Sequence, residues 1–311
     1  MNAKDCAKLL LSKDNILLVT HKNPDGDTMS SAAALCSALR RAGRRAYLYP
    51  NADVIEKLRP YVERYFAPAD FVPAYFVSVD VATENMFAKG FEGSIDLCVD
   101  HHPTNSHYAR HELIRDDRSS CGEIVFELIK ALGGKVTREE ATLLYIAVTT
   151  DTGCFQYANV NARTLSTAAE LLRLGADNLE VSKVFFRKIS KARMTLEGMI
   201  YSGMGFYRDG KVTIATVTRE MMERSGATEN DCDDLAGLAG KAESSIVSIT
   251  IKELPNGESK VSVRSNPEVS SSDICAVFGG GGHAMAAGCT IPCPPEKAKE
   301  MLLAVIDEVW R

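Results

Sequence analysis

Three short apolar runs in the first half of this chain are each followed at once by acidic or imidazole side chains. Residues 16–20, 75–79 and 95–99 have the length and composition of buried strands. In an open α/β sheet, the carboxyl ends of parallel strands lie at one edge, and ligands bind there. The sequence therefore predicts that the side chains after these strands converge in space. These side chains are His21, Asp25, Asp27, Asp80, Asp100, His101 and His102.

The rest of the pattern predicts two α/β domains. Over residues 1–190, apolar spacing indicates helices between the strands, and we expect a mostly parallel sheet with flanking helices. Beyond residue 203 the sequence becomes rich in strand-forming residues, and Asn256-Gly257 indicates a hairpin. We therefore expect a smaller mixed α/β domain over residues 200–311, joined to the first by a helical connector. The predicted helices are 28–41, 120–132, 138–149, 161–174, 178–188 and 295–310, and the further strands are 45–49, 212–217, 245–251, 260–263 and 286–291.

The composition excludes several classes of protein. The apolar runs are well short of the roughly 20 residues that a membrane span needs. The nine cysteines show no Cys-x-x-Cys spacing and suggest reduced thiols, so we expect a cytoplasmic protein. A formal net charge of −5 argues against binding to long duplex nucleic acid, although a short anionic ligand is compatible with it.

The converging side chains have the chemistry of a metal site. A single Asp-x-Asp turn, such as Asp25 to Asp27, more often caps a helix than binds a metal. Here, however, acid or imidazole clusters follow four separate elements, because the helix 138–149 also leads into Asp151. Carboxylates with imidazoles suit Mn²⁺ or a similar divalent ion. Two such ions can share a carboxylate, an arrangement used for displacement at phosphorus. The six candidate ligands are His21, Asp25, Asp27, Asp80, His101 and Asp151.

A second candidate site lies near the end of the chain. Four glycines, at 279–282, precede His283, and Arg264-Ser265 ends an upstream strand. A glycine run by itself more often marks a flexible loop or a tight bend. Together with a forked arginine donor, it predicts a phosphate or nucleotide pocket. The residues assigned to this pocket are Arg264, Ser265, Gly280, Gly281, Gly282 and His283.

These motifs resemble those of a known family. Residues 21–27, Asp80, residues 100–102 and residues 151–153 are similar, in order and separation, to the four motifs of the DHH phosphoesterase superfamily. Arg264-Ser265 and the glycine–histidine segment resemble its DHH-associated C-terminal domain. Within the superfamily, the chain is most similar to the bifunctional oligoribonucleases that also act on 3′-phosphoadenosine 5′-phosphate (pAp).

The resemblance implies a role for each candidate residue. Two Mn²⁺ ions are expected, with Mg²⁺ or Co²⁺ as alternatives, and Asp80 would bind both. Two residues, His102 and Asp80, are expected to be catalytic, with His102 facing the scissile phosphate. Ser30 stands where the family usually has glycine, and we expect this to affect packing slightly without loss of metal binding. The expected ligands are His21, Asp25 and Asp80 for one ion, and Asp27, Asp80, His101 and Asp151 for the other.

The implied activity is hydrolysis of short oligoribonucleotides to mononucleotides, together with removal of the 3′-phosphate of pAp. The resemblance also suggests a homodimer. Three alternatives remain open at this point. An inorganic pyrophosphatase or exopolyphosphatase would share the ligands of the first domain, although Arg264 and the glycine–histidine segment favour an organic substrate. A cyclic-dinucleotide phosphodiesterase is a further alternative, although we do not expect in this sequence the membrane or sensor domains that such enzymes usually have. A non-catalytic nucleotide-binding module would have little need for six ligands.

Overall fold

A computed structural model describes residues 1–232 and 235–310 of the chain. It divides into two compact units, residues 1–188 and residues 189–311. The helix expected in the connector spans Lys191–Ser202 and belongs to the second unit. Within the described residues, no helix combines the length and the apolar character needed to cross a bilayer.

The first unit is built on a five-stranded parallel sheet. Its strand order is β2-β1-β3-β4-β5, and every neighbouring pair is parallel. All residues of β1 and β4 are buried, which explains why residues 16–19 and 97–99 are continuous apolar runs in the sequence. The strands are β1 (Ile16–Val19), β2 (Ala46–Leu48), β3 (Tyr75–Val79), β4 (Leu97–Asp100) and β5 (His111–Ile114).

Seven α-helices accompany this sheet in the described first unit. The first three alternate with strands β1 to β3, and the other four follow β5. They are α1 (Ala3–Leu11), α2 (Gly26–Arg41), α3 (Arg59–Val62), α4 (Cys121–Ala131), α5 (Arg138–Asp151), α6 (Ala162–Arg173) and α7 (Asn178–Ser182), the last continuing into a π-helical turn, Lys183–Arg187.

Helices α2 and α5 pack antiparallel, and this packing determines where the candidate site forms. At one end, the Arg41 guanidinium donates two hydrogen bonds, of 2.8 and 3.0 Å, to the buried Glu140 carboxylate. Glu140 also closes a capping box with Thr137 at the start of α5. At the other end, Gly26 lies against Thr150. The first turn of α2 therefore lies beside the last turn of α5, which ends at Asp151.

The second unit contains a six-stranded mixed sheet of order β10-β11-β9-β8-β7-β6, in which β7 and β8 are parallel and the other pairs are antiparallel. The predicted hairpin joins β8 to β9, with Gly257 at φ +81° and an amide of Leu254 donating to the Glu258 carbonyl (2.8 Å). The elements are α8 (Lys191–Ser202), β6 (Gly205–Tyr207), β7 (Val212–Val217), α9 (Arg219–Ser225), β8 (Val247–Glu253), β9 (Ser259–Ser265), α10 (Ser271–Ala276), β10 (Gly281–His283), β11 (Ala286–Ile291) and α11 (Pro295–Val309).

The predicted fold class is confirmed: a parallel α/β unit is followed by a smaller mixed unit. Three strands of the sheets, β5, β6 and β10, are absent from the sequence prediction. Strand β6 has only three residues, none of them buried, and lies at a sheet edge. Strand β5 lies at a sheet edge and buries only Leu113, so it lacks an apolar run. The segment predicted as a glycine loop contains strand β10, whose three residues are all exposed.

Candidate metal centre

The loop after β1 supplies the first two candidate ligands. Nδ1 of His21 is 2.8 Å from the carbonyl oxygen of Lys22, so this nitrogen donates and leaves Nε2 free to bind a metal. Nε2 lies 3.8 Å from a carboxylate oxygen of Asp25 and 3.8 Å from one of Asp80. Asp25 is also the N-cap of α2, accepting a hydrogen bond from the Thr28 amide. The capping role that argued against Asp25 as a ligand is therefore real, and it coexists with a place in the cluster.

Asp27 is held by the amino end of another helix. Its carboxylate accepts hydrogen bonds from the backbone amides of Cys121 (2.7 Å) and Gly122 (2.9 Å), the first residues of α4. The Ser31 hydroxyl donates to the same carboxylate (2.8 Å). The N-cap residue Ser120 makes no side-chain cap of its own, because Asp27 occupies that position. Asp27 is thus fixed from two helices and fully buried.

Asp80 follows β3 directly and lies at the centre of the cluster. Its backbone has φ +61°, a left-handed conformation that is costly for a residue with a Cβ. The Thr28 hydroxyl ties the preceding residue, Val79, to α2 (2.8 Å). The side chain is buried, and its Oδ1 accepts no hydrogen bond among the described residues. That oxygen lies 3.3 Å from Nε2 of His101 and 3.6 Å from Nδ1 of His102.

The two histidines after β4 point in different ways. Nδ1 of His101 is 3.2 Å from the Arg118 carbonyl oxygen, so the other ring nitrogen, Nε2, faces the carboxylates of the cluster. Nε2 lies 3.6 Å from Asp151 and 3.9 Å from Asp27. The His102 ring instead donates Nδ1 to the fully buried Asp100 carboxylate (2.8 Å), so its Nε2 lies on the opposite side of the ring.

Asp151 reaches the cluster because a glycine allows two helices to approach. A Cβ built on Gly26 would lie only 2.4 Å from the Thr150 hydroxyl oxygen and 2.6 Å from its methyl carbon. Only glycine therefore permits the observed distance between the start of α2 and the end of α5. After Asp151, the backbone is left-handed at Gly153, Cys154 and Phe155 in succession, which ends the helix in a tight turn.

The candidate ligands form three overlapping groups. In each group, the nitrogen and oxygen atoms that could bind a metal all lie within 4.8 Å of one another. Two groups share Asp80 and two share His101, so the whole set is one continuous cluster. The groups are His21, Asp25 and Asp80; Asp80, His101 and His102; and Asp27, His101 and Asp151.

The crowded carboxylates have raised pKa values. Burial raises the pKa of Asp27 well above its usual range, and the charges of Asp80 and Asp151 raise it further. Burial also raises the pKa of Asp151 to about 7. These shifts mean that the carboxylates repel one another and are poorly solvated when no cation is present.

The pKa shifts of Asp80 and His101 both favour the charged form of the side chain. Burial alone would raise the pKa of Asp80, but the three neighbouring imidazoles outweigh it and lower that pKa below the ordinary value. Burial alone would lower the pKa of His101, but the surrounding carboxylates raise it to about 10. A divalent cation would take over the role of the proton on His101, since the donor atoms suit a Mn²⁺-like ion and the buried Asp80 Oδ1 accepts no hydrogen bond among the described residues.

The candidate residues of the second unit are brought together at one edge of its sheet. His283 pairs with Ala286, and Ala286 pairs with Arg264, so the three lie in neighbouring strands. Arg264 and His283 are exposed. The Ser265 hydroxyl donates to the Val269 carbonyl (2.6 Å), and it would have to leave this partner to donate to a phosphate.

Two of the glycines are required by the close approach of β10 to β11. A Cβ on Gly280 would lie 2.3 Å from the Gly288 carbonyl oxygen, and one on Gly282 would lie 2.5 Å from that of Ala286. Gly282 also has φ +148°. A Cβ on Gly281 would meet no atom within 4 Å. The glycine run therefore forms an edge strand with a backbone accessible to a ligand.

Several residues around the metal centre were not identified from the sequence. Asn105 donates to Asp100, and the amides at the start of α4 hold Asp27. Asn51 donates to the carbonyl of His21 (3.0 Å). Asn105 follows Asp100 by five residues, and this proximity is the signal that could have drawn attention to it. The role of Gly26 depends on a contact with a residue more than a hundred positions away, for which the sequence offers no signal.

The chain is similar to known proteins over both units. Residues 15–148 match the profile of the DHH family, N-terminal domain, and residues 209–311 match that of the DHHA1 domain. The chain is 34% identical to the bifunctional oligoribonuclease and PAP phosphatase NrnA of Thermus thermophilus, over 94% of this chain and 89% of that protein. It is 24% identical to the cyclic-di-AMP phosphodiesterase PdeA of Listeria monocytogenes, over 98% of this chain and 49% of that protein.

A solved structure matches across both units. The exopolyphosphatase-related protein from Bacteroides fragilis has a TM-score of 0.88 with this chain at 22% identity, covering 98% of this chain and 96% of that one. At this level of identity, the similarity establishes the fold alone.

Proposed function

Because the chain belongs to the DHH family, we propose that it is a divalent-metal-dependent phosphoesterase that hydrolyses short oligoribonucleotides to mononucleotides and removes the 3′-phosphate of pAp. The similarity to the T. thermophilus oligoribonuclease and PAP phosphatase, which extends over both units, supports this choice. The observation that carries the proposal is the buried Oδ1 of Asp80, which has no hydrogen-bond partner among the described residues and lies between imidazoles. Both reactions are displacements at phosphorus, one on a diester and one on a monoester.

We assign the cluster to two Mn²⁺ ions, with Mg²⁺ or Co²⁺ as alternatives. When bound, such ions activate a water molecule for attack and neutralise charge on the phosphoryl oxygens. Two of the three groups of candidate donors support a division into two ligand sets, and the DHH resemblance adds Asp80 to the second set. His21, Asp25 and Asp80 hold one ion, and Asp27, Asp80, His101 and Asp151 hold the other.

The chain keeps these ligands oriented without the ions. The carbonyls of Lys22 and Arg118 accept from Nδ1 of the two liganding histidines and so present Nε2 to the cluster. His102 is placed differently, because Asp100 holds its Nδ1 and its side chain is 34% exposed. We assign His102 Nε2 to the scissile phosphoryl group, where it donates a proton or a hydrogen bond to an oxygen that gains negative charge.

The second unit is proposed to bind the part of the substrate that is remote from the reacting phosphorus. The exposed Arg264 guanidinium offers a forked donor to a phosphate. Backbone amides of the edge strand at Gly281 and Gly282, together with the His283 ring, are assigned as further donors. Gly280 is included in this set, and its amide would exchange the Cys275 carbonyl (2.9 Å) for the ligand. Ser265 is included in this set, and it would exchange its Val269 partner for the ligand.

A cyclic-dinucleotide phosphodiesterase is the second candidate. The similarity to the L. monocytogenes cyclic-di-AMP phosphodiesterase favours it. Nearly the whole of this chain aligns with that protein, but it covers only about half of that protein's length. The first candidate is preferred because identity with the T. thermophilus relative is higher and extends over most of both proteins.

The test is hydrolysis, in the presence of Mn²⁺, of a diribonucleotide, pAp, pyrophosphate and a cyclic dinucleotide. We expect turnover of the first two, and loss of activity in Asp80→Ala. The matched control is Asp70→Ala, which removes an exposed carboxylate elsewhere in the first unit. Turnover of pyrophosphate alone would contradict the nucleotide substrate, and turnover of the cyclic dinucleotide alone would favour the second candidate. Full activity of Asp80→Ala would contradict the assignment of the cluster.

A further inference from the structure

The buried Asp100 carboxylate beside the metal centre is held by three donors. Its Oδ1 accepts the His101 amide (2.9 Å) and the His102 ring (2.8 Å). Its Oδ2 accepts the side-chain amide of Asn105 (2.6 Å). Among the described residues, no lysine or arginine forms an ion pair with Asp100, so neutral donors and one imidazole satisfy it. Loss of the Asn105 amide would leave Oδ2 buried with no donor.

Asn105 is itself fixed by the turn that follows the two histidines. Its side-chain oxygen accepts a hydrogen bond from the backbone amide of His107 (2.8 Å), and its backbone amide donates to the His102 carbonyl (3.2 Å). The side-chain NH₂ also lies 3.3 Å from the Val81 carbonyl, just after β3. With only 8% of its surface exposed, Asn105 connects the chain segments that carry Asp80 and His102.

We propose that Asn105 is a positioning residue: its side-chain amide fixes the Asp100 carboxylate, which holds the His102 ring with Nε2 directed to the phosphoryl group. The inference rests on the proposed function, in which His102 contacts the substrate. Asn105 acts through Asp100 and His102 and does not touch substrate. Two rotatable groups, a carboxylate and an imidazole, are thereby held in one orientation before substrate binds, which lowers the entropic cost of reaching the reactive geometry.

Two substitutions separate the two ends of the Asn105 side chain. Asn105→Asp keeps an oxygen for the His107 amide, and so keeps the turn, but it replaces the donor to Asp100 with a second carboxylate. Asn105→Ala removes both ends. We expect each variant to lose about 10- to 100-fold in kcat, the usual effect of removing a partner that orients a metal-site residue, with KM unchanged. Asn178→Asp, an exposed substitution of the same type in the first unit, is the matched control.

A double-mutant cycle with His102→Ala distinguishes positioning from a general structural role. If Asn105 acts through His102, then Asn105→Ala causes no further loss of kcat in the His102→Ala protein. The proposal is wrong if the kcat losses of Asn105→Ala and His102→Ala multiply in the double mutant. It is also wrong if Asn105→Asp has the kcat of the wild-type protein. Thermal unfolding and Mn²⁺ stoichiometry are measured for every variant, and the isosteric Asn105→Asp provides the answer if Asn105→Ala does not fold.

The substrates separate this proposal from the proposed function. The cycle is measured with whichever of a diribonucleotide, pAp and bis(p-nitrophenyl) phosphate the wild-type protein hydrolyses. A protein that hydrolyses the synthetic diester but neither the diribonucleotide nor pAp would contradict the proposed substrates. The double-mutant cycle, measured on the synthetic diester, would still test the role of Asn105.

Discussion

Replacing Gly26 by alanine should move the candidate ligands at the start of α2 away from Asp151 at the end of α5. Gly26 is the first residue of α2, beside the N-cap residue and candidate ligand Asp25 and one residue before Asp27. Its backbone φ is not in the left-handed region, so alanine is compatible with the local backbone and would even favour a helix. The new methyl group, however, would lie 2.4 Å from the hydroxyl oxygen of Thr150, which precedes Asp151.

The contact distances give the size of the effect. Restoring an ordinary contact of about 3.5 Å requires the start of α2 and the end of α5 to move apart by about 1 Å. Such overpacking typically costs about 1–3 kcal/mol of unfolding free energy. A shift of about 1 Å between catalytic groups can cost about 100-fold in rate. We therefore expect Gly26→Ala to fold with reduced stability and to lose about two orders of magnitude in kcat.

The assay compares Gly26→Ala with two partner variants by urea unfolding and by kcat at saturating Mn²⁺. Thr150→Ala in the Gly26→Ala background removes the two closest atoms and should restore part of both losses, because the Thr150 hydroxyl donates only within its own helix. Gly198→Ala, where the methyl group meets no atom within 4 Å, should be harmless or stabilising. A Gly26→Ala protein with wild-type kcat and stability would refute this account of the helix packing.

Three further predictions follow from the structure. Ser30→Ala should raise the unfolding free energy, measured by urea titration, by about 1 kcal/mol. The buried Ser30 hydroxyl has no hydrogen-bond partner among the described residues, and alanine is the better helix former. A loss of stability in this variant would contradict the prediction. Mn²⁺ binding at pH 7 should release protons, because the pKa of His101 is raised to about 10 and that of Asp151 to about 7 in the metal-free protein, and affinity should therefore rise with pH. Calorimetry in two buffers of different ionisation enthalpy measures this release, and a heat independent of buffer would contradict it. Arg264→Ala should raise KM for a diribonucleotide about 10-fold or more, with Arg219→Ala as the exposed control; an unchanged KM would remove Arg264 from the binding site.

The sequence predicted the fold of the first unit well because its signals are local. A strand buried on both faces must be a continuous apolar run, as residues 16–19 and 97–99 are. The grouping of Asp80 with the ligands after β1 and β4 followed from a general property of parallel sheets. The DHH resemblance, carried by the same residues, is confirmed by the family matches.

The parts that were missed depend on contacts between distant segments. Strand β10 consists of Gly281, Gly282 and His283, and this composition carries no alternation of apolar and polar side chains. Its strand character arises from pairing with β11 across a turn. In the same way, nothing local shows that Ser120 leaves its helix uncapped so that Asp27 can take that position.

The hydrogen bonds of the cluster also bear on which residue both ions would share. His101 and Asp80 each belong to two of the three groups of candidate donors. His101, however, has its Nδ1 directed to the Arg118 carbonyl, so only Nε2 remains for a metal. Asp80 has two oxygens that face different neighbours, Oδ2 toward His21 and Oδ1 toward His101. A carboxylate can bind two cations with separate atoms, whereas an imidazole with one nitrogen already bonded cannot. The hydrogen bond to Arg118 therefore favours Asp80 as the shared ligand that we propose.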